Sequence, residues 1–336
     1  MADTTRMSVA EIEEFAAGML QAAGTSPDNA APLAKAIAAA EREGIASHGL
    51  MYLPIYMEHV KCGKVSGTAV PGVTHPKPGT ILVDAGTGFA HPAIAIGFAA
   101  LVPAAQACGI AVLAVSNSYN CGVLGYHTEA LAAEGLLGIG FTNSPASIAP
   151  AGGAKPVIGT NPMSVAAPDG AGGAALLIDQ SASVVAKSEV MKRAREGEPI
   201  PLGWALDADG NPTEDADAAL KGSMAPAAGY KGVGWGLLTE LLAAVATGAT
   251  LGIDASPFSG TKGGPPRTGQ MFIAIDVATT SGGAFAERLS ALTAAIGAQE
   301  GARLPGAKRA AARARADAEG VAVPTAILDK ARALLA

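Results

Sequence analysis

A serine–histidine–glycine triplet, Ser47-His48-Gly49, is the first place in the chain where residue types and spacing suggest chemistry. It follows a long amphipathic stretch, so we predict that a helix ends there, with Gly49 following the last turn. Carbonyl groups at a helix C-terminus favour a protonated imidazole, and the Ser47 hydroxyl can orient one ring nitrogen. Such a histidine can exchange the proton that accompanies each hydride when a carbonyl or imine is reduced. The same pattern is also typical of a simple helix cap.

Four other segments place glycines and polar side chains at predicted strand or helix ends. Backbone N–H groups in such turns can bind a phosphate or an amide, although each segment is also compatible with ordinary turn chemistry. Lys231 precedes a predicted helix and is a candidate diphosphate anchor. The segments are Ser116–Gly122, Ala151–Pro162 (with Thr160 and Asn161), Asp179-Gln180-Ser181 followed by Glu189, and Tyr230–Gly234.

Several familiar motifs are absent from the sequence. No G-x-G-x-x-G follows a strand in an early βαβ unit, and there is no P-loop. There is also no G-x-S-x-G elbow and no H-E-x-x-H helix, so hydrolase functions have no support. A dinucleotide site in this chain would therefore not be of the usual Rossmann type.

Helical and apolar stretches predict the scaffold that must position these residues. Ser8 and Glu11 form a capping box before a helix that runs to about residue 23, and Ser26-Pro27 starts a second helix that runs to Ser47-His48. A third helical piece spans 50–61. Strands at 81–84, 110–115, 136–141, 164–167, 175–178 and 270–276 are interspersed with helices at 92–107, 123–134, 184–196, 232–247 and 284–298, which predicts an α/β protein.

Composition and charge exclude several classes of partner. The 336 residues carry a net charge of −6 and no basic stripe, which argues against nucleic-acid binding. The basic group Lys308, Arg309, Arg313 and Arg315 is interpreted as the solvated face of a helix.

Cysteine usage and the N-terminal sequence indicate a cytoplasmic protein. The 3 cysteines form no CxxC pair, so we predict reduced thiols and no metal site. The N-terminus lacks the features of a signal peptide. Residues 85–128 contain no charged side chain, but prolines, glycines and asparagines interrupt them, which predicts buried helix and strand and no membrane span.

Taken in order, these segments resemble the malate/L-lactate dehydrogenase family, which includes sulfolactate and ureidoglycolate dehydrogenases and the piperideine- and pyrroline-2-carboxylate reductases. The similar segments span essentially the whole chain: ASHGL, NSYNCGVLGYH, APAGGAKPVIGTNP, LIDQSASVVAKSEV, EPIPLGWALDADGNPTEDA, GYKGVG and PPRTGQMFIAID. The resemblance implies an α/β, non-Rossmann nicotinamide-binding fold with a mixed sheet, used as a homodimer. We expect a helical lobe at 1–75 with part of the active site and of the dimer contact, a cofactor- and substrate-binding region at 76–300, and a C-terminal helical segment at 301–336 that returns to the first lobe.

The resemblance also implies roles for individual residues. His48 would be the proton donor or acceptor, with Ser47 and the acidic Glu189 in a relay, and Thr160 would contact the substrate. NAD or NADP would be bound by residues of four segments: Asn120, Cys121, Gly122, Val123 and Leu124; Asp179, Gln180 and Ser181; Tyr230 and Lys231; and Leu304, Pro305, Gly306, Lys308 and Arg309.

Two departures from the family pattern concern the substrate. Many relatives carry an arginine four residues after the SHG histidine, where it holds the substrate carboxylate; here that substrate-binding position is Tyr52. A neutral phenol cannot replace a bidentate guanidinium. Many relatives also carry histidine at the position of Asn120. Either another cation, such as Lys155 or Arg267, holds the acid group, or the substrate differs from malate and lactate, for example by carrying a sulfonate.

The sequence therefore predicts an NAD(P)-dependent oxidoreductase that interconverts a small 2-hydroxy acid and its 2-oxo acid. The alternative is an NAD(P)H-dependent reductase of cyclic imine 2-carboxylates, because the same histidine and hydride geometry serves C=N and C=O. A third possibility is a cofactor-binding protein without catalytic activity; the changes at Tyr52 and Asn120 favour it, and the intact Ser47, His48 and Glu189 oppose it.

Overall fold

The computed structural model describes residues 3–335, in which helices surround one large sheet. The strands are β1 (Thr4–Met7), β2 (Gly72–Lys77), β3 (Thr80–Asp84), β4 (Ile110–Ser118), β5 (Leu136–Thr142), β6 (Met163–Pro168), β7 (Ala174–Gln180), β8 (Ala205–Leu206), β9 (Ser223–Met224), β10 (Thr268–Asp276) and β11 (Val321–Pro324). The helices are α1 (Val9–Ala22), α2 (Pro27–Arg42), α3 (Leu53–Lys61), α4 (Ala90–Cys108), α5 (Leu124–Ala133), α6 (Lys187–Glu196), α7 (Ala216–Lys221), α8 (Tyr230–Glu240), α9 (Val277–Thr280), α10 (Phe285–Gly297), α11 (Ala307–Glu319) and α12 (Thr325–Ala333). A 3₁₀ turn spans Ala46–His48, and a π-helical turn, Leu241–Val245, continues α8.

The central sheet has seven strands in the order β2-β3-β4-β10-β5-β6-β7. Only β3 and β4 run parallel; all other neighbouring pairs in this sheet are antiparallel. A Rossmann sheet is mostly parallel and binds its dinucleotide where the strand order reverses. The predicted α/β fold with a mixed, non-Rossmann sheet is therefore confirmed.

Local signals in the sequence predict most of the elements well. The Ser8–Glu11 capping box is present in both directions at the start of α1. All six predicted strands exist, each within three residues of its predicted ends. The sequence analysis missed β2, whose residues are almost all exposed, and the short strands near the two termini.

The two termini meet in one lobe. Strand β1 pairs antiparallel with β11, with Thr4 opposite Pro324, and α1, α2, α3 and α12 share one hydrophobic core. This core also takes in Phe89 and Tyr119 from the sheet region. The domain boundaries at 75/76 and 300/301 stay predictions, and residues 1, 2 and 336 of the expected terminal regions lie outside the described residues.

The predicted end of the second helix is wrong. Helix α2 ends at Arg42, and Gly44, with φ of +73°, provides the left-handed residue that terminates it. His48 instead lies in the separate 3₁₀ turn, and Gly49 has an ordinary negative φ of −94°. The third helical piece begins at Leu53, so that Pro54 falls in its first turn, where proline is tolerated.

Helix α4 carries much of the uncharged stretch 85–128. Among the described residues it is the one helix long and apolar enough to cross a membrane, judged by length and composition alone. Here it packs along β3 and β4, and Ala93, Ile94 and Leu101 are buried in the core of the sheet region. This packing matches the interpretation of the stretch as buried helix and strand.

Candidate active site

His48 and Ser47 form a hydrogen-bonded pair in the 3₁₀ turn that follows α2. The Ser47 Oγ lies 3.0 Å from His48 Nδ1, and both side chains are half-buried. The hydroxyl therefore holds one ring nitrogen, which leaves Nε2 as the nitrogen available for proton exchange.

Burial and two charged groups set the proton affinity of His48. Burial of the imidazole lowers the pKa of His48, the Asp179 carboxylate raises it, and the Arg309 guanidinium lowers it. The net direction is downward, so the prediction of a helix end that favours the imidazolium is wrong. No long helix ends at His48, and desolvation of the ring has the largest effect.

Asp179 joins three parts of the protein. It lies near the end of β7, and its Oδ2 accepts a hydrogen bond from the Gly125 N–H of α5 at 2.9 Å. The same oxygen lies 2.7 Å from Arg309 Nη2 of α11. Asp179 was assigned to cofactor binding in the sequence analysis, and its negative charge also raises the pKa of His48.

Glu189 forms an ion pair within its own helix. It lies in the first turn of α6, where its carboxylate is 3.6 Å from Arg193 Nε, one turn along the same helix. The charged groups that shift the pKa of His48 are Asp179 and Arg309. The structure therefore pairs Glu189 with Arg193, and its place in the relay stays a prediction.

A buried carboxylate lies directly behind the histidine turn. Glu41, near the end of α2, is 8% exposed, and its Oε1 accepts the Leu50 N–H at 2.7 Å. A Cβ atom on Gly49 would lie 2.3 Å from the same oxygen. Gly49 is therefore required by the close approach of Glu41 rather than by a left-handed backbone. The sequence analysis missed Glu41, whose only signal was an acidic residue in the Ala-rich second helix.

Tyr52, the residue that replaces the arginine, lies in an aromatic cluster next to Asn120. Its hydroxyl donates to the Phe258 carbonyl at 3.3 Å, and its ring is 4.8 Å from that of Tyr56. Burial raises the pKa of Tyr52 to about 12, while hydrogen bonds from Tyr119 and Asn120 partly oppose that rise. Tyr52 is therefore a neutral phenol, and the structure brings it together with Asn120 as two polar groups that a substrate could contact.

Thr160 lies on the turn before β6 and is held by its neighbours. Its N–H donates to Ser144 Oγ at 3.2 Å. Asn161, with φ of +37°, donates from Nδ2 to the buried Glu240 at 2.7 Å, which fixes the turn against α8. Thr160 is half-buried, and its hydroxyl also contacts Ser144 Oγ.

The turn between β4 and α5 has the features of a cofactor cradle. Asn120 Oδ1 accepts the Gly122 N–H at 2.6 Å, and Gly122 has φ of +67°. Beneath it, the buried His127 donates from Nε2 to the Cys121 carbonyl at 2.9 Å. Val123 and Leu124 are buried and lead into α5. The turn is thus rigid and ends at a helix N-terminus, which suits an amide or a phosphate.

The other predicted cofactor residues lie on two further segments. Lys231 is exposed in the first turn of α8, and Tyr230 beside it is 72% exposed. Gly306, with φ of +88°, lies against Leu177 of β7, so the segment that holds Leu304, Pro305 and Lys308 passes close to this strand, which ends at the exposed Gln180. The Ser181 and Ser183 hydroxyls form a hydrogen bond, with their Oγ atoms 3.0 Å apart. Helix N-termini and a free ammonium fit an anionic dinucleotide.

The predicted solvated face of α11 holds for Lys308 and Arg315, which are exposed, and is wrong for the other two residues. Arg309 and Arg313 are only 19% and 27% exposed, and both approach the buried Glu43 at the end of α2. Arg313 also pairs with Glu129 of α5. This ion-pair network attaches α11 to α2 and α5.

Comparison with known proteins identifies the family of this chain. Residues 7–331 match the malate/L-lactate dehydrogenase family. The chain is 43% identical over 327 residues to the (2R)-3-sulfolactate dehydrogenase (NADP(+)) of Chromohalobacter salexigens, covering 97% of each chain. It is 37% identical over 337 residues to the Delta(1)-pyrroline-2-carboxylate reductase of Ancylobacter novellus, covering 99% of this chain and 98% of the relative.

A solved structure shows the same fold. The delta1-piperideine-2-carboxylate reductase of Pseudomonas syringae superposes with a TM-score of 0.92 at 35% identity, covering 98% of this chain and 100% of the other. The chain therefore belongs to the malate/L-lactate dehydrogenase family and is an NAD(P)-dependent oxidoreductase.

Proposed function

We propose that the protein is an NADP-dependent dehydrogenase of a small 2-hydroxy acid, with 3-sulfolactate as the first candidate substrate and His48 as the group that exchanges the proton. The observation that supports the proton role is the contact of Ser47 Oγ with His48 Nδ1 at 3.0 Å. The charge of Asp179, which raises the pKa of His48, is consistent with that role. Arg303 and Lys308 are exposed on either side of the Leu304–Gly306 segment, and such cations suit the additional phosphate of NADP. The 43% identity to an NADP(+)-linked sulfolactate dehydrogenase supports both choices.

In the proposed reaction the substrate loses a proton to His48 and a hydride to the cofactor. In oxidation, His48 accepts the proton of the substrate hydroxyl through Nε2 while Ser47 holds Nδ1. A bound oxidised nicotinamide would supply the acceptor for the hydride of the carbon that carries this hydroxyl, which leaves the 2-oxo acid as the product. In reduction, the imidazolium returns the proton to the developing alkoxide. We further propose that Asp179, in the place predicted for Glu189, stabilises the imidazolium in either direction.

The neutral contacts at Tyr52 and Asn120 support a substrate other than malate or lactate. Tyr52 cannot hold a carboxylate as an arginine would. Its hydroxyl can donate one hydrogen bond to a substrate in place of the one it gives to the Phe258 carbonyl, and Asn120 can donate another from its amide nitrogen, since its Oδ1 accepts the Gly122 N–H. A substrate with a second, strongly anionic group has an additional point of attachment, and Lys155 and Arg267 are both exposed cations suited to it.

Reduction of a cyclic imine 2-carboxylate is the second candidate. The TM-score of 0.92 to a piperideine-2-carboxylate reductase and the 37% identity to a pyrroline-2-carboxylate reductase favour it. The same Nε2 would then deliver its proton to the ring nitrogen, so the residues of the site serve both reactions.

A substrate panel separates these functions. Purified protein is assayed by nicotinamide absorbance with 3-sulfolactate, malate, lactate and ureidoglycolate plus NADP or NAD, and with pyrroline- and piperideine-2-carboxylate plus NADPH or NADH. We expect the highest kcat/KM with 3-sulfolactate and NADP. A higher value for a cyclic imine would replace the first proposal with the second. Cofactor binding without turnover of any compound would favour a binding protein and contradict both.

We also propose that the protein is a cytoplasmic homodimer. Helix α8 and its π-helical extension expose a row of apolar side chains, including Trp235 (49%), Leu241 (55%) and Val245 (58%). Exposed apolar rows of this kind mark protein contacts. The free thiols of Cys62, Cys108 and Cys121 are compatible with a reducing compartment. Light scattering at micromolar protein should give twice the chain mass, and Leu241→Glu should shift the protein towards monomer; a monomeric wild type would contradict the proposal.

A further inference from the structure

A long connection, residues 246–267, leads from the π-helical turn to β10 and contains no helix or strand. Connections longer than about 12–15 residues without secondary structure are uncommon and are often functional. Within this connection, the 257–260 segment has an exposed outer side, with only Phe258 half-buried. The carbonyls of Pro257, Phe258 and Gly260 all accept hydrogen bonds from side chains in or just after α3 and from Tyr52. The segment is therefore fixed from its inner side.

Lys64, three residues after the end of α3, is the first of these anchors. Its side chain is fully buried, and its Nζ donates to the Pro257 carbonyl at 2.6 Å and to the Gly260 carbonyl at 3.1 Å. Among residues 3–335, no carboxylate forms an ion pair with it. A buried ammonium without a counterion is costly, so these two carbonyls are what compensates for its burial. Loss of the ammonium would in turn release the segment.

His59 of α3 is the second anchor and is also fully buried. Its Nε2 donates to the Gly260 carbonyl at 2.9 Å, and its Nδ1 accepts a hydrogen bond from the Tyr119 hydroxyl. Burial lowers the pKa of His59, and a neutral imidazole has one donor and one acceptor, which these two contacts use. One ring thus joins the segment to Tyr119, the neighbour of Asn120 in the chain.

Phe258 brings the segment to the substrate-binding position of the family pattern. Its carbonyl accepts the Tyr52 hydroxyl at 3.3 Å, and its ring lies 5.4 Å from the ring of Tyr119. Tyr52 stands where many relatives carry the arginine that holds the substrate carboxylate. Phe258 therefore lies directly against the residue from which an acid group would be held.

We propose that the 257–260 segment is a specificity-determining wall of the substrate pocket, with Phe258 as the discriminating side chain and Lys64 and His59 as the positioning residues. This inference rests on the proposed role of Tyr52 in substrate binding. It explains why the fold places an unpaired ammonium in its interior. It also adds a surface from a distant part of the chain to the pocket formed by Tyr52 and Asn120.

Lys64→Met tests the anchoring, since methionine fills the space of the stem without the ammonium. Lys61→Met is the matched control, because Lys61 at the end of α3 donates to the Leu334 carbonyl, away from the segment. Trypsin cleavage after the exposed Lys262, followed by mass spectrometry, reports release of the segment without any substrate. We expect this cleavage to be about 5-fold faster or more in Lys64→Met and unchanged in Lys61→Met.

Kinetics of the same variants test the link to substrate. With the best substrate of the panel, Lys64→Met should raise KM by about 10-fold, while kcat and the dissociation constant of NADP stay near the wild-type values. An unchanged KM, or an equal rise in Lys61→Met, would overturn the inference. A joint loss of kcat and NADP affinity would indicate a general structural defect and would also overturn it.

Phe258→Ala tests the discrimination and does not depend on the folding of Lys64→Met. It should change the ratio of kcat/KM between the two best substrates of the panel by about 10-fold, as a contact in a pocket wall does. Ile253→Ala removes an exposed apolar side chain from the same connection and should leave this ratio unchanged. An unchanged ratio in Phe258→Ala would overturn the inference. Failure of the proposed function is a separate result, namely no turnover of any panel substrate by the wild type, and cleavage after Lys262 then still tests the anchoring.

Discussion

The Glu41 carboxylate accepts the Leu50 N–H at 2.7 Å and leaves no room for a side chain on Gly49. This contact between α2 and the next segment fixes the backbone that follows His48. Gly49→Ala would place a Cβ atom 2.3 Å from Glu41 Oε1, so either the turn moves or the Glu41 carboxylate leaves the Leu50 N–H that it holds. Because displacement of a catalytic group by about 1 Å can cost about 10²-fold in rate, we expect turnover to fall by about that factor.

Gly18→Ala is the control for this substitution. Gly18 lies within α1, and nothing lies within 4 Å of a Cβ atom built there. Alanine should stabilise this helix by about 0.5–1 kcal/mol and leave turnover unchanged. Steady-state kinetics and melting temperatures of both variants check the prediction; equal turnover in the two variants would contradict it.

Ionisation of Glu41 should make folding less favourable. Burial raises the pKa of Glu41, and the Leu50 hydrogen bond only partly opposes that rise. The folded protein therefore binds the proton more tightly than the unfolded chain, and the stability contributed by this group falls as pH rises through its unfolded pKa towards its folded pKa. Glu41→Gln keeps an acceptor for Leu50 without a charge. Between pH 4 and 7, denaturant unfolding of this variant should show a smaller loss of stability than the wild type; parallel curves would contradict the prediction.

The scaffold was largely predictable because its signals are local. The capping box of α1 and the apolar runs of β3 to β7 and β10 each depend on a few neighbouring residues. Strand β2 carries no alternating apolar pattern, and the pairing of β1 with β11 joins residues from opposite ends of the chain. Such long-range pairing leaves no local pattern in a single sequence.

The sequence indicated the individual residues of the candidate site, but not the contacts between residues that are far apart in the chain. Ser47 and His48 are adjacent in the chain, so their hydrogen bond follows from the motif. Asp179 and Arg309 are 130 residues apart, and their ion pair depends on how α11 returns to the sheet. Glu189 was assigned to the relay, and in the structure its carboxylate pairs with Arg193, one helical turn away.

Tyr52 should contribute one hydrogen bond to substrate binding. Tyr52→Phe keeps the ring that packs on Tyr56 and removes the hydroxyl beside Asn120. A neutral hydrogen bond contributes about 0.5–1.5 kcal/mol, so KM should rise by roughly 2- to 12-fold with a smaller change in kcat. An unchanged KM for the best substrate of the panel would exclude this contact.

Lys231 should contribute to cofactor affinity. It is exposed in the first turn of α8, where its ammonium and the free N–H groups of the helix suit a diphosphate. Lys231→Ala should weaken NADP binding in a fluorescence titration by about 10-fold, as expected for the loss of one charge-assisted contact. Lys221→Ala, at the exposed end of α7, is the control. Equal affinities in the two variants would contradict the assignment.

His48→Asn tests the central claim most directly. The variant keeps a polar side chain beside Ser47 but cannot exchange a proton at Nε2. Loss of a general acid–base group typically costs about 10²–10⁴-fold in rate, so turnover should fall by that amount, while cofactor affinity and melting temperature stay near the wild-type values. Near-normal turnover of His48→Asn on the best substrate of the panel would contradict the account.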